Sequence, residues 1–572
     1  MLVAQPFPPP LALDRRRATA DAPTRKSAKA VRAVQAAVGR PTGLRYGRPP
    51  SIGLVACVLG LALGVPATRA QVSVTPVTIV GGELADGSGA VLRRANVRIV
   101  ADRIAGVGQD VKPLAGDTVV DATGLVVAPG FIDIHNHSAN ELASEPAAAS
   151  QVAQGITTVV LGPDGGSPWP IGEYLDERRR IPASVNVAVM VGHATVRRLV
   201  MRDDYKRTAT DAELARMAAL VEQGMREGAV GLSSGLEYEV GGYADTRELV
   251  GLAKAAARFH GVYMSHIRDE ADKSFEALRE AIAIGEQARL PVQISHIKLG
   301  TVGVWHRAAD AVALIENART RGVDVTADCY PYNAWSSTIT VLVPDKRYDH
   351  PPSVEKALAD VGGAGNVLIV RHAAHPDYEF KTLDAVARSR GVTPVEQFIQ
   401  IVKDGGAGVV CTSMVDDDIR AFYRQPWVMV GSDGGIGVRH PRGAGTFPRV
   451  LGRYVRDLHW IALPEAIRKM TSMPAERLRL RDRGRIAAGT IADLVLLNPS
   501  TVVDRSTFSD PTALPIGIEK VFVAGALVWD SGKPVAISPR RPGRVIATPN
   551  ESYRHSCPCQ SARVSVRMKS SR

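Results

Sequence analysis

Short apolar runs recur along most of the chain, and the segments between them change character near Val127. Before it, from Val74 to Val126, β-type runs alternate with turns, as in TPVTIVGG, ANVRIVADRIAGVG and DTVVDATGLVVAP. They predict a small antiparallel sheet. After it the order becomes apolar strand, loop and helix, repeated. Strands are predicted at 130–135, 157–161, 186–191, 230–233, 262–265, 292–295, 324–327 and 428–431, with helices such as 211–227, 247–259 and 272–288 between them. Eight strands with helical crossovers predict an α/β fold of the (β/α)8 TIM-like barrel type. Its chemistry belongs at the C-terminal ends of the strands.

The seventh and eighth strands are separated by roughly a hundred residues, a length that marks a functional insertion rather than a structureless loop. That stretch has its own strand and helix patterns at 367–372 and 394–404, and the insertion is placed at about 340–425. Past the eighth strand, 464–473 reads as helix, 482–490 as turns, and 493–497 and 518–529 as strands. Strands on both sides of the barrel predict one small β-sandwich domain assembled from both chain ends. The organisation is then β-domain at 71–128, barrel at 129–480 and the returning half of the β-domain at 481–538.

The termini differ in composition. Residues 1–50 are rich in Pro, Ala and Arg without an apolar period, and are expected to be a disordered basic extension. The run 52–65 is apolar, comes after Arg45 and Arg48, and ends in Pro66-Ala67-Thr68-Arg69-Ala70. A basic flank, a short apolar core and small residues predict a signal peptide at 51–70, cleaved after Ala67 or Ala70, and a periplasmic or secreted protein. The run is short for a membrane span, so no membrane attachment is expected after cleavage; the alternative is an uncleaved N-terminal anchor. Residues 539–572 are polar and basic and are expected to be disordered.

Charge is divided in the same way. The net charge is +12, but residues 1–50 carry +8, Arg69 adds +1 and residues 540–572 carry +7, leaving −4 for the body between them. The body therefore has no basic footprint for nucleic acid. Five cysteines suggest no disulfide framework: Cys57 lies in the signal segment, Cys329 and Cys411 read as buried thiols, and Cys557-Pro-Cys559 is a weak metal signal in the tail.

The candidate chemistry lies at the strand ends. The first strand closes in His135-Asn136-His137, and residues two apart in a strand share a face. The second runs into Pro163-Asp164-Gly165, the fifth ends at His266, the sixth at His296 and the eighth at Asp433. Brought to one barrel mouth, four imidazoles and two carboxylates suit Zn²⁺, which binds His nitrogen and carboxylate oxygen and keeps an open position for water. Asp433 would then move a proton between that water and a leaving amine. His193, after the third strand, either joins this set or supports it from behind.

The order HxH, His, His, Asp on a barrel resembles the amidohydrolase superfamily. The stretches GITTVVLG, VGLSSGLEY, MSHIRDE, QISHIK, VMVGSDG and HPRGAGTFPRVLGRYV resemble its D-aminoacylase branch, the N-acyl-D-amino-acid deacylases, over roughly residues 74–535. The resemblance implies metal ligation by His135 and His137 at a more exposed site and by His266 and His296 at a tighter one, with Asp433 as catalytic acid/base. It implies substrate contacts from Lys298, from Tyr330 or Tyr332, from Ser336 or Ser337, and from Arg442, whose guanidinium suits a free carboxylate. One departure stands out. Where the branch usually has Asn-Cys-Gly with a bridging cysteine, this chain has Pro163-Asp164-Gly165. A carboxylate there is a harder ligand than a thiolate, so one tight zinc is expected and a second, weaker one is left open.

The expected activity is hydrolysis of the acyl amide of a small N-acyl-D-amino acid by hydroxide generated at the metal. The alternatives are another amidohydrolase reaction, such as dipeptide or cyclic-amide hydrolysis, and a non-catalytic binding protein on the same scaffold. The sequence pattern does not set the oligomeric state.

Overall fold

The apolar run that closes in the two histidines forms strand β1, Phe131–Asn136, buried along its whole length. Such continuous burial is what a strand covered by helices on its outer face requires. The computed structural model describes residues 75–537 and 540–547. After β1 come β2 (Ile156–Leu161), β3 (Asn186–Val189, resumed at Val191–Gly192), β4 (Gly231–Gly235), β5 (Val262–His266), β6 (Val292–Ile294), β7 (Val325–Cys329) and β8 (Val428–Val430). Neighbours pair in parallel from β1 through β3 and from the second part of β3 through β8.

The ring closes at the functional end. Gly434, just past β8, bridges Asn136 of β1 in parallel, with His137 N donating to Gly434 O at 2.8 Å and Asp433 N to His135 O at 3.0 Å. The eight predicted strands are thus present as parallel sheets in the expected order, with ends shifted by one or two residues. The helix Asp211–Glu227 starts and stops where its pattern places it. Thr210 and Glu213 form a reciprocal cap at its start, and Gly228, at a φ of 116°, ends it.

Both chain ends build the β-sandwich. One sheet orders Arg103–Gly108, Asn96–Val100, Val77–Val80 and Thr118–Asp121. The other pairs Val126–Pro129 with Leu494–Leu497 antiparallel, Val127 facing Leu496, and so ties the entry to the barrel to the strands beyond its exit. Ile79, Val97, Ile99, Val127, Leu494, Leu496 and Phe522 share the core between the sheets. Between β7 and β8 an antiparallel sheet orders Ala334–Thr338, Gly408–Thr412, Val367–Arg371 and Lys381–Thr382. This insertion has its own apolar cluster, including Ile339, Leu342, Val354, Phe398 and Ile401, and begins at Ala334 rather than near residue 340.

The C-terminal boundary differs from expectation. Residues 540–547, expected to belong to a disordered tail, lie along β3: Val187 N donates to Arg544 O at 2.8 Å, Ile546 N to Val187 O at 2.8 Å and Gly543 N to Ala183 O at 3.0 Å. The reason is local composition, since Ile546 is an apolar residue inside the basic stretch and is buried there. The predicted N-terminal extension, the signal peptide and the tail beyond residue 547 lie outside the described residues. Among the described residues no helix is long and apolar enough to cross a membrane.

Candidate metal centre

The strand ends meet at one mouth because three of them turn sharply there. Asp164, His296 and Asp433 have φ values of 55°, 34° and 47°. This left-handed region is uncommon for residues with a Cβ and costs of order 1–3 kcal/mol where it is enforced. Here it swings side chains off the strands toward a common centre. The turn after β2 is held from outside: Ser233 Oγ donates to Gly162 O at 2.6 Å and accepts the Gly165 N–H at 3.2 Å. Gly165 has a φ of 81°, and a Cβ on it would lie 2.9 Å from Gly235 N, so the turn admits no larger residue there.

Asp164 joins the two histidine pairs. Its Oδ2 lies 3.2 Å from His135 Nε2 and 3.5 Å from His137 Nε2, and its Oδ1 lies 3.6 Å from His296 Nε2. Asp433 Oδ1 is 3.0 Å from His137 Nε2 and 3.5 Å from His135 Nε2. His266 Nδ1 and His296 Nε2 are 2.9 Å apart. Ligand atoms of His135, His137, Asp164 and Asp433 all fall within 4.8 Å of one another, and so do those of Asp164, His266 and His296. The nitrogen and carboxylate donors suit Zn²⁺. Asp164 Oδ1 is buried without a hydrogen-bond donor, a costly state for a carboxylate unless a cation completes it.

Three carboxylates that the sequence pattern did not single out face the histidines, two of them, Glu237 and Glu270, from the cleft, where they group with His266. Asp328 Oδ1 faces His135 Nδ1 at 3.5 Å, Glu237 Oε2 faces His266 Nε2 at 2.9 Å, and Glu270 Oε1 faces His296 Nδ1 at 3.0 Å. Each is on or just past a barrel strand, at β7, β4 and β5, and that position was the signal available. Such outer carboxylates fix imidazole orientation in metal sites. A fourth, Asp133, is fully buried in β1 and accepts from Ser432 N at 2.8 Å, Ser432 Oγ at 2.6 Å and Asn136 Nδ2 at 2.7 Å, bracing β8 against β1.

The cluster is electrostatically tense. Burial opposes charge on Asp164, yet His135 and His296 hold its carboxyl well below the usual range. Burial likewise opposes charge on Asp433, and Arg442 with His296 holds it ionised. Burial disfavours protonated His135, but Asp164 pushes its pKa well above the ordinary value. For His296, burial and Lys298 pull down while Glu270, Asp433 and Asp164 pull up, and the balance raises it to about 9. A protonated imidazole in this position is a stand-in for a cation.

A cleft open to solvent begins at His266, His296 and Asp433 and is lined by Lys298, Ser336, Ser337 and Arg442. Arg442 is buried, its Nη1 lies 2.8 Å from Asp433 Oδ2, and its guanidinium stacks 4.8 Å over the Tyr330 ring. Its Nε and Nη2, and the Tyr330 hydroxyl, are buried without hydrogen-bond partners. The two tyrosines separate: Tyr332 turns away, its hydroxyl 3.3 Å from both Pro441 O and Asp504 Oδ2. His193 is not among the grouped ligands; its Nε2 pairs with Glu248 at 2.8 Å, and Arg197 binds the other Glu248 oxygen. His440 accepts the Arg442 N–H at 3.0 Å, and burial keeps its imidazole neutral. Cys329 and Cys411 are free and buried.

Comparison with known proteins agrees with this geometry. The model of the Amidohydrolase family matches residues 118–529. The chain is 38% identical to a D-aminoacylase of Alcaligenes xylosoxydans xylosoxydans, covering 82% of this chain and 97% of that protein. It is 35% identical to an N-acyl-D-glutamate deacylase of the same organism, covering 82% and 96%. Among solved structures, the N-acyl-D-glutamate deacylase of Bordetella bronchiseptica, complexed with zinc and a phosphonate mimic of the tetrahedral intermediate, superposes with a TM-score of 0.74. It is 33% identical and covers 83% of this chain and 99% of its own.

Proposed function

The chain belongs to the amidohydrolase family, in its D-aminoacylase branch, and on that premise we propose that it removes the acyl group from small N-acyl-D-amino acids. The observation that carries this reading is the position of Asp433. One of its oxygens lies 3.0 Å from His137 Nε2 in the metal-ligand group, and the other lies 2.8 Å from Arg442 Nη1. The catalytic carboxylate thus stands between a metal cradle and a buried guanidinium, which suits an amide that also carries a free α-carboxylate.

His135, His137, Asp164, His266 and His296 would hold Zn²⁺, which when bound polarises a carbonyl and lowers the pKa of water toward ~7. The remaining steps fall to the chain itself. Arg442, with two nitrogens free to donate, and the Tyr330 hydroxyl fix the α-carboxylate. Asp433 Oδ1 takes the proton from the attacking water and returns it to the departing nitrogen. Burial of Asp433 and Arg442 keeps bulk water from competing for the same protons. The insertion forms one side of the cleft and so contributes to the surroundings of the amide.

We also propose export to the periplasm or medium, supported by the basic flank, the apolar run 52–65 and the small residues up to Ala70. N-terminal sequencing of the protein recovered outside the cytoplasm tests it: a start at Thr68 or Gln71 is expected, and an intact Met1 overturns it. The activity is tested by a panel of N-acetyl D- and L-amino acids with and without Zn²⁺. Turnover of D substrates that disappears on chelation and returns with Zn²⁺ is expected; full turnover of amides lacking a carboxylate overturns the reading.

A further inference from the structure

The segment that leads from Asp433 to Arg442 is fastened to the insertion by two consecutive side chains. Arg439 donates to Val370 O at 2.8 Å and pairs with Glu379. His440 is fully buried and uses both ring nitrogens. Its Nε2 lies 3.0 Å from the carbonyl oxygen of Ala334, the first residue of the insertion strand Ala334–Thr338. Its Nδ1 lies 3.0 Å from the backbone N of Arg442. One partner accepts and the other donates, so the ring is neutral with its proton on Nε2. Burial, reinforced by the Arg442 charge, disfavours a second proton. Tyr332 and Phe508 pack edge-on against the ring, with centroids 5.4 and 5.3 Å away.

Arg442 opens the helix Arg442–Arg449, so its N–H has no partner within the helix. Pro441, at the cap position, has no side-chain acceptor to offer it. His440 Nδ1 supplies that acceptor. Arg442 also carries the guanidinium that meets Asp433 at 2.8 Å and stacks over Tyr330. We propose that His440 is a positioning residue for the substrate carboxylate: it fixes the backbone of Arg442, and with it the guanidinium, against the first strand of the insertion. This rests on the N-acyl-D-amino-acid reading above, in which Arg442 binds the α-carboxylate. His440 lies outside both the cleft lining and the ligand groups, so it acts through Arg442. A displaced guanidinium loses affinity because its paired donors must meet both carboxylate oxygens at once.

The test compares two variants of the Zn²⁺-loaded enzyme on the N-acetyl-D-amino acid that the wild type turns over best, with kcat, KM, zinc content and Tm recorded. His440→Asn keeps an acceptor where Nδ1 stands; His440→Gln keeps a donor where Nε2 stands. His440→Gln is expected to raise KM about tenfold with kcat changed by less than about threefold. His440→Asn is expected to hold KM within about threefold of the wild type. On an Arg442→Lys background, His440→Gln is expected to add less than about twofold in KM, because both changes act through one interaction. A wild-type KM in the His440→Gln variant overturns the proposal, and so does an effect that is as large on the Arg442→Lys background. Parallel losses of Tm and kcat in both variants, with no difference in KM between them, assign His440 to the fold alone and also overturn it. Each of these outcomes leaves the deacylase reading intact. Failure of the wild type to hydrolyse any N-acetyl-D-amino acid overturns both.

Discussion

Asp328 Oδ1 lies 3.5 Å from His135 Nδ1 and accepts the backbone N–H of His296 at 2.9 Å. Its other oxygen takes the Gln293 side-chain amide at 2.8 Å. One buried carboxylate on β7 therefore orients a ligand from each half of the centre. Facing Nδ1, it favours the His135 tautomer that carries its proton there and leaves Nε2 to the metal. Asp328→Asn keeps the shape but not the charge. Its zinc affinity, measured by chelator competition, is expected to fall about 10–100-fold, with far-ultraviolet circular dichroism unchanged. Unchanged affinity would remove Asp328 from this role.

Asp164 presents the sharpest chemical question, because one carboxylate spans the gap between the two histidine pairs. With its two oxygens 3.2 Å from His135 Nε2 and 3.6 Å from His296 Nε2, it reaches both histidine pairs. Asp164→Ala is expected to lose metal from both. Asp164→Cys is expected to keep zinc and to discriminate more strongly against manganese, since thiolates favour softer ions. Metal analysis after dialysis against equal zinc and manganese reads both outcomes; an alanine variant that still holds its zinc shows that the carboxylate is dispensable.

The strand order and most of the residues grouped at the strand ends were legible for one physical reason. Parallel strands buried on both faces read as unbroken apolar runs, so the polar residue that ends a run marks the mouth. That logic finds His135, Asp164, His266, His296 and Asp433. It misses Glu237 and Glu270, which sit past strand ends among other charged residues and group with His266. Asp328 directly follows the predicted run 324–327 and fits the same logic, although the structure places it inside the strand, which continues through Cys329. The packing of residues 540–547 on β3 was hidden by their basic composition. Sequence spacing could not choose between Tyr330 and Tyr332 either, because the choice depends on Asp504 and Pro441, which are distant in sequence.

Asp433 and Arg442 make separable predictions. Asp433→Asn removes the proton acceptor while Asp164, His266 and His296 still group as ligands. Turnover is expected to fall by about 10²–10⁴-fold with zinc retained at that half. Arg442→Lys keeps a positive charge but loses the paired donors that match a carboxylate, so its loss should appear mainly in KM. Near-normal kcat in the asparagine variant, or an unchanged KM in the lysine variant, contradicts the assigned roles.

The protons on the metal-free centre set its pH dependence. Glu270, Asp433 and Asp164 outweigh burial and Lys298 to raise His296 from 6.5 to about 9. A histidine raised in the folded state adds stability that is fully present below about pH 6.5 and is lost as pH climbs through about 9. The shift corresponds to a contribution on the order of 3 kcal/mol. Zinc must displace that proton, so its affinity moves the opposite way and strengthens with pH. The metal-free protein is therefore expected to lose Tm between pH 6.5 and 9, while the rise in Tm on adding Zn²⁺ grows over the same interval. His296→Gln should flatten both trends. A zinc-induced rise that is the same at both ends of that interval would show that no proton is exchanged for the metal at this histidine.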